Sequence, residues 1–458
     1  MARTAKKETA LTAEEKLAQA LVPEEEQPYP VPENWCWVHL SGLLREIKNG
    51  TTIKQDKSGE GYSVTRIESL QNQTIDFNRL GTIIDKSEIK ETDWYIAGDI
   101  ALSHINSADH VGKTALISEA MLPLVHGMNL LRLRFTEALS PLLFQYYSQS
   151  FQYKDAILAR INMAVNQVSI NQKQIGTIEF PLPPLAEQQR IVDRIESLFA
   201  KLDEAKEKAQ AVVDGFEDRK AAILHKAFTG ELTEQWRIEN KRTKVKWVHK
   251  KFSEICDIVR GGSPRPAGDP KYYDGNIPFM KVADITNNSG PYVTSATYSI
   301  KEAGLKKTRM IEPNTLLLTN SGATLGVPAI CTFQTTFNDG IAAFLNLNPE
   351  SLLFFYYFWS SKTPELRSIN MGAAQPNLNT SIIGAVEIDI PTIEEQKEIV
   401  RILETVLKKE EQVKETAEQV IDQIITIKKG ILARAFRGEL GTNDSTDESA
   451  EELLKRIL

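Results

Sequence analysis

The chain has 458 residues, of which 41% are hydrophobic and 25% are charged, and its formal net charge at pH 7 is −7. This length exceeds what one hydrophobic core usually organises, so we expect at least two domains. The acidic residues concentrate toward both ends, and the middle is nearly neutral. This balance argues against a protein that coats nucleic acid through bulk positive charge.

The cysteines and histidines predict neither a disulfide framework nor a metal site. Cys36, Cys256 and Cys331 lie far apart, without the paired spacing of metal ligands, which is typical of free thiols in a reducing cytoplasm. Residues 1–21 lack the apolar core of a secretory signal, and the longest apolar run, 352–359, is too short to cross a bilayer. We therefore expect a cytoplasmic protein that binds no metal and does not associate with a membrane.

In chain order, the sequence predicts an α+β protein of five segments. Two segments of mixed strand and helix signals each precede a long helix, and a segment with one short helix comes before them. The predicted boundaries are 1–34 for the N-terminal segment, 35–184 for the first globular domain, 185–246 for the first long helix and a linker, 247–392 for the second globular domain, and 393–458 for the second long helix and a tail.

The two halves of the chain carry matching sequences at one constant offset. The segment I-L-H-K-A-F-T-G-E-L (223–232) matches I-L-A-R-A-F-R-G-E-L (431–440), and Glu187 matches Glu395 at the same offset. No gap is needed between these matches, which chance similarity between helices would rarely achieve. We therefore predict a pseudo-two-fold internal duplication.

Between the matching ends, each copy predicts one long helix with a coiled-coil seam, because apolar residues recur in alternating steps of three and four. Each helix follows a proline-bearing segment and is predicted to end near a glycine, Gly230 or Gly438. Since the copies share length and register, we expect the two helices to pair with each other, antiparallel. The predicted seam residues are Ile191, Ile195, Leu198, Leu202, Val212 and Phe216 in the first helix, and Ile399, Leu403, Val406, Val413, Val420 and Ile424 in the second.

Several motifs, spread over the chain, carry a resemblance to a known family. They are L-T-A-E-E-K-L-A-Q-A-L-V-P (11–23), G-G-S-P-R-P (261–266), I-P-F-M-K-V-A-D-I (277–285), and the two helix starts I-E-F-P-L-P-P-L-A-E-Q-Q (178–189) and V-E-I-D-I-P-T-I-E-E-Q-K (386–397). In this order and with this duplication, the chain resembles the specificity subunit of Type I restriction-modification systems along nearly its whole length. The first globular segment departs from the pattern, since K-N-G-T-T-I-K (48–54) replaces its G-G-S-P opening.

The resemblance implies two target recognition domains, each reading one half of a split, asymmetric site in double-stranded DNA. The paired helices would set the spacing between the half-sites and dock the methyltransferase subunits. It further implies a non-catalytic subunit around which two methyltransferase and two motor-nuclease subunits assemble. S-adenosylmethionine, ATP and Mg²⁺ are expected on those partners, and no cofactor is expected in this chain.

Two short motifs superficially suggest catalysis. H-V-G-K-T (110–114) ends like a phosphate-binding loop, but Ser107 stands where the first glycine is required. Glu395 and Lys397, following Asp389, suggest a nuclease set, but at the start of the repeated helix we expect them to cap it and to face solvent. We therefore predict that the chain has no catalytic residues.

Candidate DNA contacts come from basic and polar residues in predicted turns and strand ends, since base edges and phosphates require such groups. Arg260 and Arg265 flank the Gly-Gly-Ser-Pro turn, where we expect glycine to let a phosphate approach closely. A solvated surface charge or a turn-forming role is the alternative for each candidate. The predicted DNA-binding residues are Lys54, Lys57, Arg66, Asn106, Lys113, Arg260, Ser263, Arg265, Lys281, Asn320 and Ser321.

Two other classes of protein are the alternatives. A coiled-coil assembly scaffold without its own DNA specificity would explain the helices, but not two divergent globular segments of similar size. A self-contained restriction enzyme would need methyltransferase and nuclease motifs, which the sequence lacks. Weak DNA binding by the chain alone, with tight binding beside a methyltransferase, would separate these classes.

Overall fold

The computed structural model describes residues 12–56, 60–164, 167–322, 324–369 and 378–458. These residues form two compact units, and the division falls inside the two long helices. The first unit extends to Ala209 and resumes at Gln419, whereas the second unit spans Gln210–Glu418. Each unit therefore contains one strand-rich region and a part of both long helices.

The first unit is built from short helices and short strands. Its helices up to the first long one are α1 (Ala13–Ala20), α2 (Pro141–Tyr147), α3 (Phe151–Leu158), α4 (Gln172–Gly176) and α5 (Leu185–Asp214), the last of which runs on into the second unit. Its strands are β1 (Cys36–His39), β2 (Leu44–Asn49), β3 (Tyr62–Val64), β4 (Leu70–Gln71), β5 (Thr74–Ile75), β6 (Gly81–Ile83), β7 (Ile100–Ser103), β8 (Ile105–Asn106), β9 (Thr114–Leu116), β10 (Leu130–Phe135), β11 (Asn162–Ala164), β12 (Gln167–Ser169) and β13 (Glu179–Leu182).

The second unit has longer strands. Its helices are α6 (Phe216–Phe228), α7 (Glu234–Glu239), α8 (Val282–Thr286), α9 (Glu302–Leu305), α10 (Leu352–Ile369), α11 (Thr380–Gly384) and α12 (Ile393–Ala435), and α12 ends in the first unit. Its strands are β14 (Val248–Lys251), β15 (Asp257–Arg260), β16 (Tyr273–Met280), β17 (Tyr292–Val293), β18 (Tyr298–Ile300), β19 (Arg309–Ile311), β20 (Thr315–Thr319), β21 (Pro328–Cys331), β22 (Thr335–Phe337), β23 (Ile341–Leu345) and β24 (Glu387–Ile390). Helix α13 (Ala450–Ile457) then follows in the first unit.

The largest sheet of each unit has a fully buried strand inside it. In the first unit the order is β2-β10-β7-β9, all antiparallel, and every residue of β7 is buried. In the second unit the order is β15-β23-β20-β21-β17, and every residue of β20 is buried. A strand that is buried on both faces needs apolar side chains at consecutive positions. This explains the segment I-A-L in β7 and the segment L-L-L in β20.

The internal duplication is visible in the strands that open and close each globular region. In the first unit β1 pairs antiparallel with β13, so that His39 lies opposite Glu179. In the second unit β14 pairs antiparallel with β24, so that Lys251 lies opposite Glu387. Both opening strands carry the tripeptide W-V-H, at 37–39 within β1 and at 247–249, where β14 begins at the valine. A proline-bearing segment leads from each closing strand to the long helix.

The long helices largely match their predicted bounds. Helix α12 is one helix of 43 residues, whereas the first copy is divided at Gly215 into α5 and α6. The expectation of one uninterrupted first helix is therefore wrong at one residue, Gly215. The helical hydrogen-bond pattern continues through it, because the Gly215 N–H still donates to the Ala211 carbonyl at 3.1 Å. Shortly after each helix, Gly230 (φ 84°) and Gly438 (φ 73°) adopt the left-handed conformation that glycine accommodates best.

The two helices run antiparallel in each unit. In the second unit Phe216 lies under the ammonium of Lys414, 5.0 Å from it, and Arg219 pairs with Glu410 at 2.7 Å. In the first unit Lys428 Nζ lies 2.6 Å from an Asp203 carboxylate oxygen. Residue numbers rise along one helix as they fall along the other, as predicted.

The predicted seam residues differ in burial. Val413 is 49% exposed, whereas the nearby Glu410 and Lys414 contact the first helix and Ala417 is buried. The seam assignment is corrected there, because a straight α-helix drifts by about 20° per heptad from an exact seven-residue repeat. Of the others, Ile191, Ile195, Phe216, Ile399, Leu403 and Ile424 are buried, and Leu198, Leu202, Val212, Val406 and Val420 are partly exposed.

A buried glutamate stands near the start of each long helix. Glu187 accepts hydrogen bonds from the indole of Trp35 at 2.7 Å and from Thr442 Oγ1 at 3.0 Å. Glu395 likewise accepts from the indole of Trp247 at 3.1 Å and from Thr233 Oγ1 at 2.7 Å.

The expected solvated capping role is therefore wrong for Glu395, which is only 1% exposed and also pairs with Arg237 at 2.6 Å. Lys397 does face solvent and pairs with Glu350 at 3.2 Å. A charge at a helix start is normally solvated, but here the neighbouring indole, hydroxyl and guanidinium groups replace water as its hydrogen-bond donors. These contacts join the start of each long helix to the chain that follows the other one.

None of the helices in the described part of the chain is both long and apolar enough to cross a bilayer.

Candidate nucleic-acid interface

In the second unit, three predicted residues gather around the loop between β22 and β23. The Ser263 hydroxyl donates to an Asp339 carboxylate oxygen at 2.5 Å, and the Arg260 Nε–H donates to the Asp339 carbonyl at 2.6 Å. The exposed guanidinium of Arg265 lies 3.9 Å from the same carboxylate. Arg260, Ser263 and Arg265 therefore form one polar site centred on Asp339, a residue that the sequence patterns did not single out.

The glycines of the Gly-Gly-Ser-Pro turn have a structural role that the sequence did not predict. A Cβ at Gly261 would lie 2.2 Å from the Asn338 carbonyl oxygen, and one at Gly262 would lie 2.3 Å from the Lys307 carbonyl oxygen. The space beside both glycines is thus filled by the protein's own backbone. The two glycines therefore let three segments of the second unit pack closely, and the expectation that a phosphate approaches this turn stays a prediction.

Lys281 lies at the start of α8, directly over the ring of Tyr298, with its Nζ 3.3 Å from the ring centre. Its backbone N–H donates to Asp284 at 2.7 Å, which fixes the turn. Tyr298 is 45% exposed, so the pair presents a cation and an aromatic edge at the surface. Such a pair can contact a phosphate or stack beside a base.

The two residues after β20 differ from each other. Asn320 is fully buried, its N–H donates to the Gly340 carbonyl at 2.9 Å, and its side-chain amide has no hydrogen-bond partner in the described part of the chain. Asn320 does not reach the surface that a duplex would touch. Ser321 is partly exposed, and its Oγ lies beside Gly340, 2.9 Å from where a Cβ would stand.

Sequence reasoning missed three basic residues next to this site. Lys306, Lys307 and Arg309 are exposed, and the Arg309 Nε–H donates to the Arg260 carbonyl at 3.1 Å. The sequence feature that could have identified them is the basic run K-K-T-R (306–309), but it lies far along the sequence from the Gly-Gly-Ser-Pro turn. Pairing of β19 with β22 brings the two segments together.

In the first unit, Lys54 and Arg66 lie in neighbouring segments. Lys54 is exposed, and Arg66 pairs with Glu68 at 3.0 Å. The two segments meet at Gly81, where a Cβ would lie 2.5 Å from Gln55 Oε1 and 3.2 Å from Arg66 Cδ. Lys57 lies outside the described residues, so its predicted role stays a prediction.

Asn106 and Lys113 belong to another part of the first unit. Asn106 lies in β8, and its Oδ1 accepts from the Ser107 N–H at 2.8 Å, which is a turn-forming contact. Lys113 is exposed and lines a groove together with Lys154 and Lys429. The Asn106 contact fits the turn-forming alternative given above, and its DNA-binding role stays a prediction. Lys113 contributes to a groove whose charged residues are Lys113, Lys154, Lys429 and Asp109.

Within the described residues, no group of three or more histidine, cysteine, aspartate or glutamate side chains is placed to hold a metal ion. Burial raises the pKa of the Cys36 and Cys256 thiols to about 12, and that of the Cys331 thiol to about 11. Unreactive, protonated thiols agree with the prediction of free cysteines.

Two related units, each with exposed basic residues on a strand-rich region, are typical of a protein that reads a two-part nucleic-acid site. The chain belongs to the Type I restriction modification DNA specificity domain family, whose model matches residues 32–213 and 244–423 separately. The predicted duplication and the resemblance noted in the sequence are thereby confirmed.

Named relatives and solved structures agree with this assignment. The putative Type I restriction enzyme MjaX specificity subunit of Methanocaldococcus jannaschii is 29% identical over 86% of this chain and 94% of its own length. The EcoKI specificity subunit of Escherichia coli K12 is 22% identical over 93% of this chain and 95% of its own length. The crystal structure of the HsdS subunit from Thermoanaerobacter tengcongensis has the same fold, with a TM-score of 0.60, 19% identity, and coverage of 90% of this chain and 99% of that chain.

Proposed function

We propose that this chain is the DNA-recognition subunit of a Type I restriction-modification complex. Residues 35–184 and 247–392 are its two target recognition domains, and each reads one half of a bipartite, asymmetric site in double-stranded DNA. The observation that carries the proposal is the family match, which covers each half of the chain separately. A coiled-coil scaffold without DNA specificity would not need two strand-rich regions with different exposed loops.

The proposed DNA contacts are basic and polar side chains that are exposed or partly exposed, since such side chains bind phosphates and base edges. Lys57, which lies outside the described residues, is added from the sequence alone. Asn320 is left out because it is buried. The proposed contacts are Lys54, Lys57, Arg66 and Lys113 in the first domain, with Asn106 as a supporting residue, and Arg260, Ser263, Arg265, Lys281, Lys306, Lys307, Arg309 and Ser321 in the second.

The antiparallel helices are proposed to set the spacing between the half-sites and to dock two methyltransferase subunits, with two motor-nuclease subunits completing the complex. Their apolar residues include Val413 and Ile427, which are 49% and 48% exposed and suit a partner helix. Methyl transfer and DNA cleavage belong to the partners, together with S-adenosylmethionine, ATP and Mg²⁺. The complex acts in the cytoplasm, where its DNA lies.

Domain exchange tests the proposal. The chain is expressed with a methyltransferase subunit, and methylated sites are mapped across the host genome. Replacing residues 35–184 by the corresponding domain of another specificity subunit is expected to change one half of the methylated sequence and to leave the other half intact. Replacing 247–392 is the reciprocal control, which should change only the other half.

Two outcomes would contradict the proposal. One is a wild-type chain that directs no methylation to a defined sequence when its partner is present. The other is an exchange that changes both halves, or neither, while the complex still assembles.

A further inference from the structure

We infer that Asp339 and Asn338, in the loop between β22 and β23, read the exocyclic amino group of a base in the half-site of the second domain. Adenine and cytosine both offer this group in the major groove, and carboxylate and amide oxygens are its natural acceptors. The inference rests on the proposed function and deepens it by naming side chains that discriminate between bases.

The first argument is the sign of the charge. Arg260 donates to the main-chain carbonyl of Asp339, Arg309 donates to the Arg260 carbonyl, and Arg265 lies 3.9 Å from the Asp339 carboxylate. These cations suit phosphates, yet the Asp339 side chain among them is 44% exposed. A bare carboxylate on such a surface repels the DNA backbone, whereas a carboxylate that accepts from a base amino group contributes to recognition. Only Ser263 donates a close side-chain hydrogen bond to Asp339 in the described structure, so acceptor capacity remains on a carboxylate with about four lone-pair sites.

The second argument is that the loop backbone is held in place. The Asn338 N–H donates to the Met280 carbonyl at 3.0 Å, and the Gly340 carbonyl accepts from the Asn320 N–H at 2.9 Å. Between them, the Asp339 carbonyl accepts from Arg260 at 2.6 Å. Each residue of the loop is thus anchored through its main chain, and the Asp339 carboxylate is additionally held by the Ser263 hydroxyl, which favours a defined geometry for recognition.

The third argument is an unpaired acceptor beside Asp339. Asn338 Oδ1 is shielded from solvent and has no hydrogen-bond partner among the described residues. A buried unpaired acceptor is costly. Asn338 differs from the fully buried Asn320 because the residue itself is partly exposed, so that rotation of its amide would let Oδ1 accept from a ligand. Gly340 makes this arrangement possible, because a Cβ there would lie 2.7 Å from Val282 Cγ2 and 2.9 Å from Ser321 Oγ.

The experiment compares Asp339→Ala and Asp339→Asn in the chain assembled with its methyltransferase subunit. Asp339→Ala is expected to lower methylation of the wild-type site by about 10-fold or more and to relax one base pair in the half read by the second domain. Asp339→Asn keeps the shape and the bond from Ser263, and is expected to alter the preference at that same base pair. Asp274→Asn is the matched control, because Asp274 is an exposed aspartate of the same unit.

Ser263→Ala tests whether Asp339 reads a base itself or only positions the Ser263 hydroxyl. The inference is overturned if Ser263→Ala reproduces the change caused by Asp339→Ala while Asp339→Asn, which keeps the bond from Ser263, leaves the sequence preference as in the wild type. It is equally overturned if both Asp339 variants assemble with wild-type thermal stability and methylate the wild-type sequence with unchanged efficiency. A wild-type chain that directs no defined methylation contradicts the proposed function instead, so the two failures are distinguishable.

Discussion

The guanidinium of Arg219 and the carboxylate of Glu410 join the two long helices within the second unit. The Arg219 Nε–H donates to Glu410 Oε2 at 2.7 Å, and an Nη2–H donates to the Val212 carbonyl at 3.0 Å. The pair lies beside Phe216, on whose ring Lys414 also packs. A stretch of the helix pair is therefore polar, although the heptad pattern around it is apolar.

A double-mutant cycle measures what this pair contributes. Because both side chains are partly solvated, we expect the coupling free energy between Arg219→Ala and Glu410→Ala to be about 0.5–1 kcal/mol in urea unfolding. The same cycle on the more exposed pair Lys208 and Glu204 is the control and should give less. A coupling of zero for Arg219 and Glu410 would mean that the contact does not stabilise the helix pair.

The seam of the helices is tested by two substitutions of the same kind at sites that differ in burial. Ile399→Asp places a charge where the side chain is fully buried and should lower the free energy of unfolding by several kcal/mol. Val413→Asp, at a position that the heptad predicts to be equivalent, should change it by less than about 0.5 kcal/mol. Equal destabilisation by both variants, measured by thermal unfolding, would restore the heptad assignment at Val413.

The basic residues that the sequence patterns missed should govern the salt dependence of DNA binding. Lys307→Ala and Arg309→Ala are each expected to reduce the slope of log K against log salt concentration by about 1, and to weaken binding to all sequences alike. Lys250→Ala, an exposed lysine of strand β14, serves as the control. The measurement is a titration of duplex DNA with the methyltransferase-bound chain at several salt concentrations; slopes identical to wild type would remove these residues from the interface.

His126 makes the stability of the first unit sensitive to acid. Burial lowers the pKa of its imidazole to about 3, from 6.5 in an unfolded chain, and Nε2 lies 3.0 Å from the Leu130 carbonyl oxygen. Above pH 6.5 the imidazole is neutral in both states, so it does not affect the free energy of unfolding. As the pH falls from 6.5 toward 3, only the unfolded state takes up a proton, so the folded state loses stability. The loss from this residue approaches about 1.4 kcal/mol per pH unit within that window.

The check on His126 is chemical denaturation between pH 7 and 4.5. His126→Gln should flatten the dependence on pH, even if it lowers stability at pH 7. The exposed His110→Gln is the control and should keep the wild-type dependence. If the wild-type and His126→Gln profiles stay parallel, the imidazole does not titrate as the structure indicates.

Local patterns in the sequence predicted the long helices and the duplication well, because both features depend on how residues are spaced along the sequence. Gly230 and Gly438 marked the helix ends, and the matching helix starts marked the repeat. Positions that depend on a second segment were predicted poorly. Glu395 reads as a solvated residue until Trp247 and Thr233 are placed beside it.

In the candidate interface too, residues within a local motif were predicted, whereas a residue brought in by a distant segment was not. Arg260 and Ser263 were found from the turn that contains them, but Asp339, which they both contact, lies far along the chain in a loop without a distinctive motif. The seam failed at Val413 for a geometric reason, since the α-helical repeat of 3.6 residues does not match a heptad over many turns.

The first unit is assembled from two separate stretches of the chain, which affects the order in which the two units can fold. Its core joins Trp35, Val38 and Ile191, which precede the second unit in the chain, with Phe436 and Leu454, which follow it. The second unit, by contrast, is a single uninterrupted stretch from Gln210 to Glu418. Domains generally fold as units as they emerge from the ribosome. We therefore expect the first unit to complete its core only after residues 419–458 are made, whereas all residues of the second unit are available before that point.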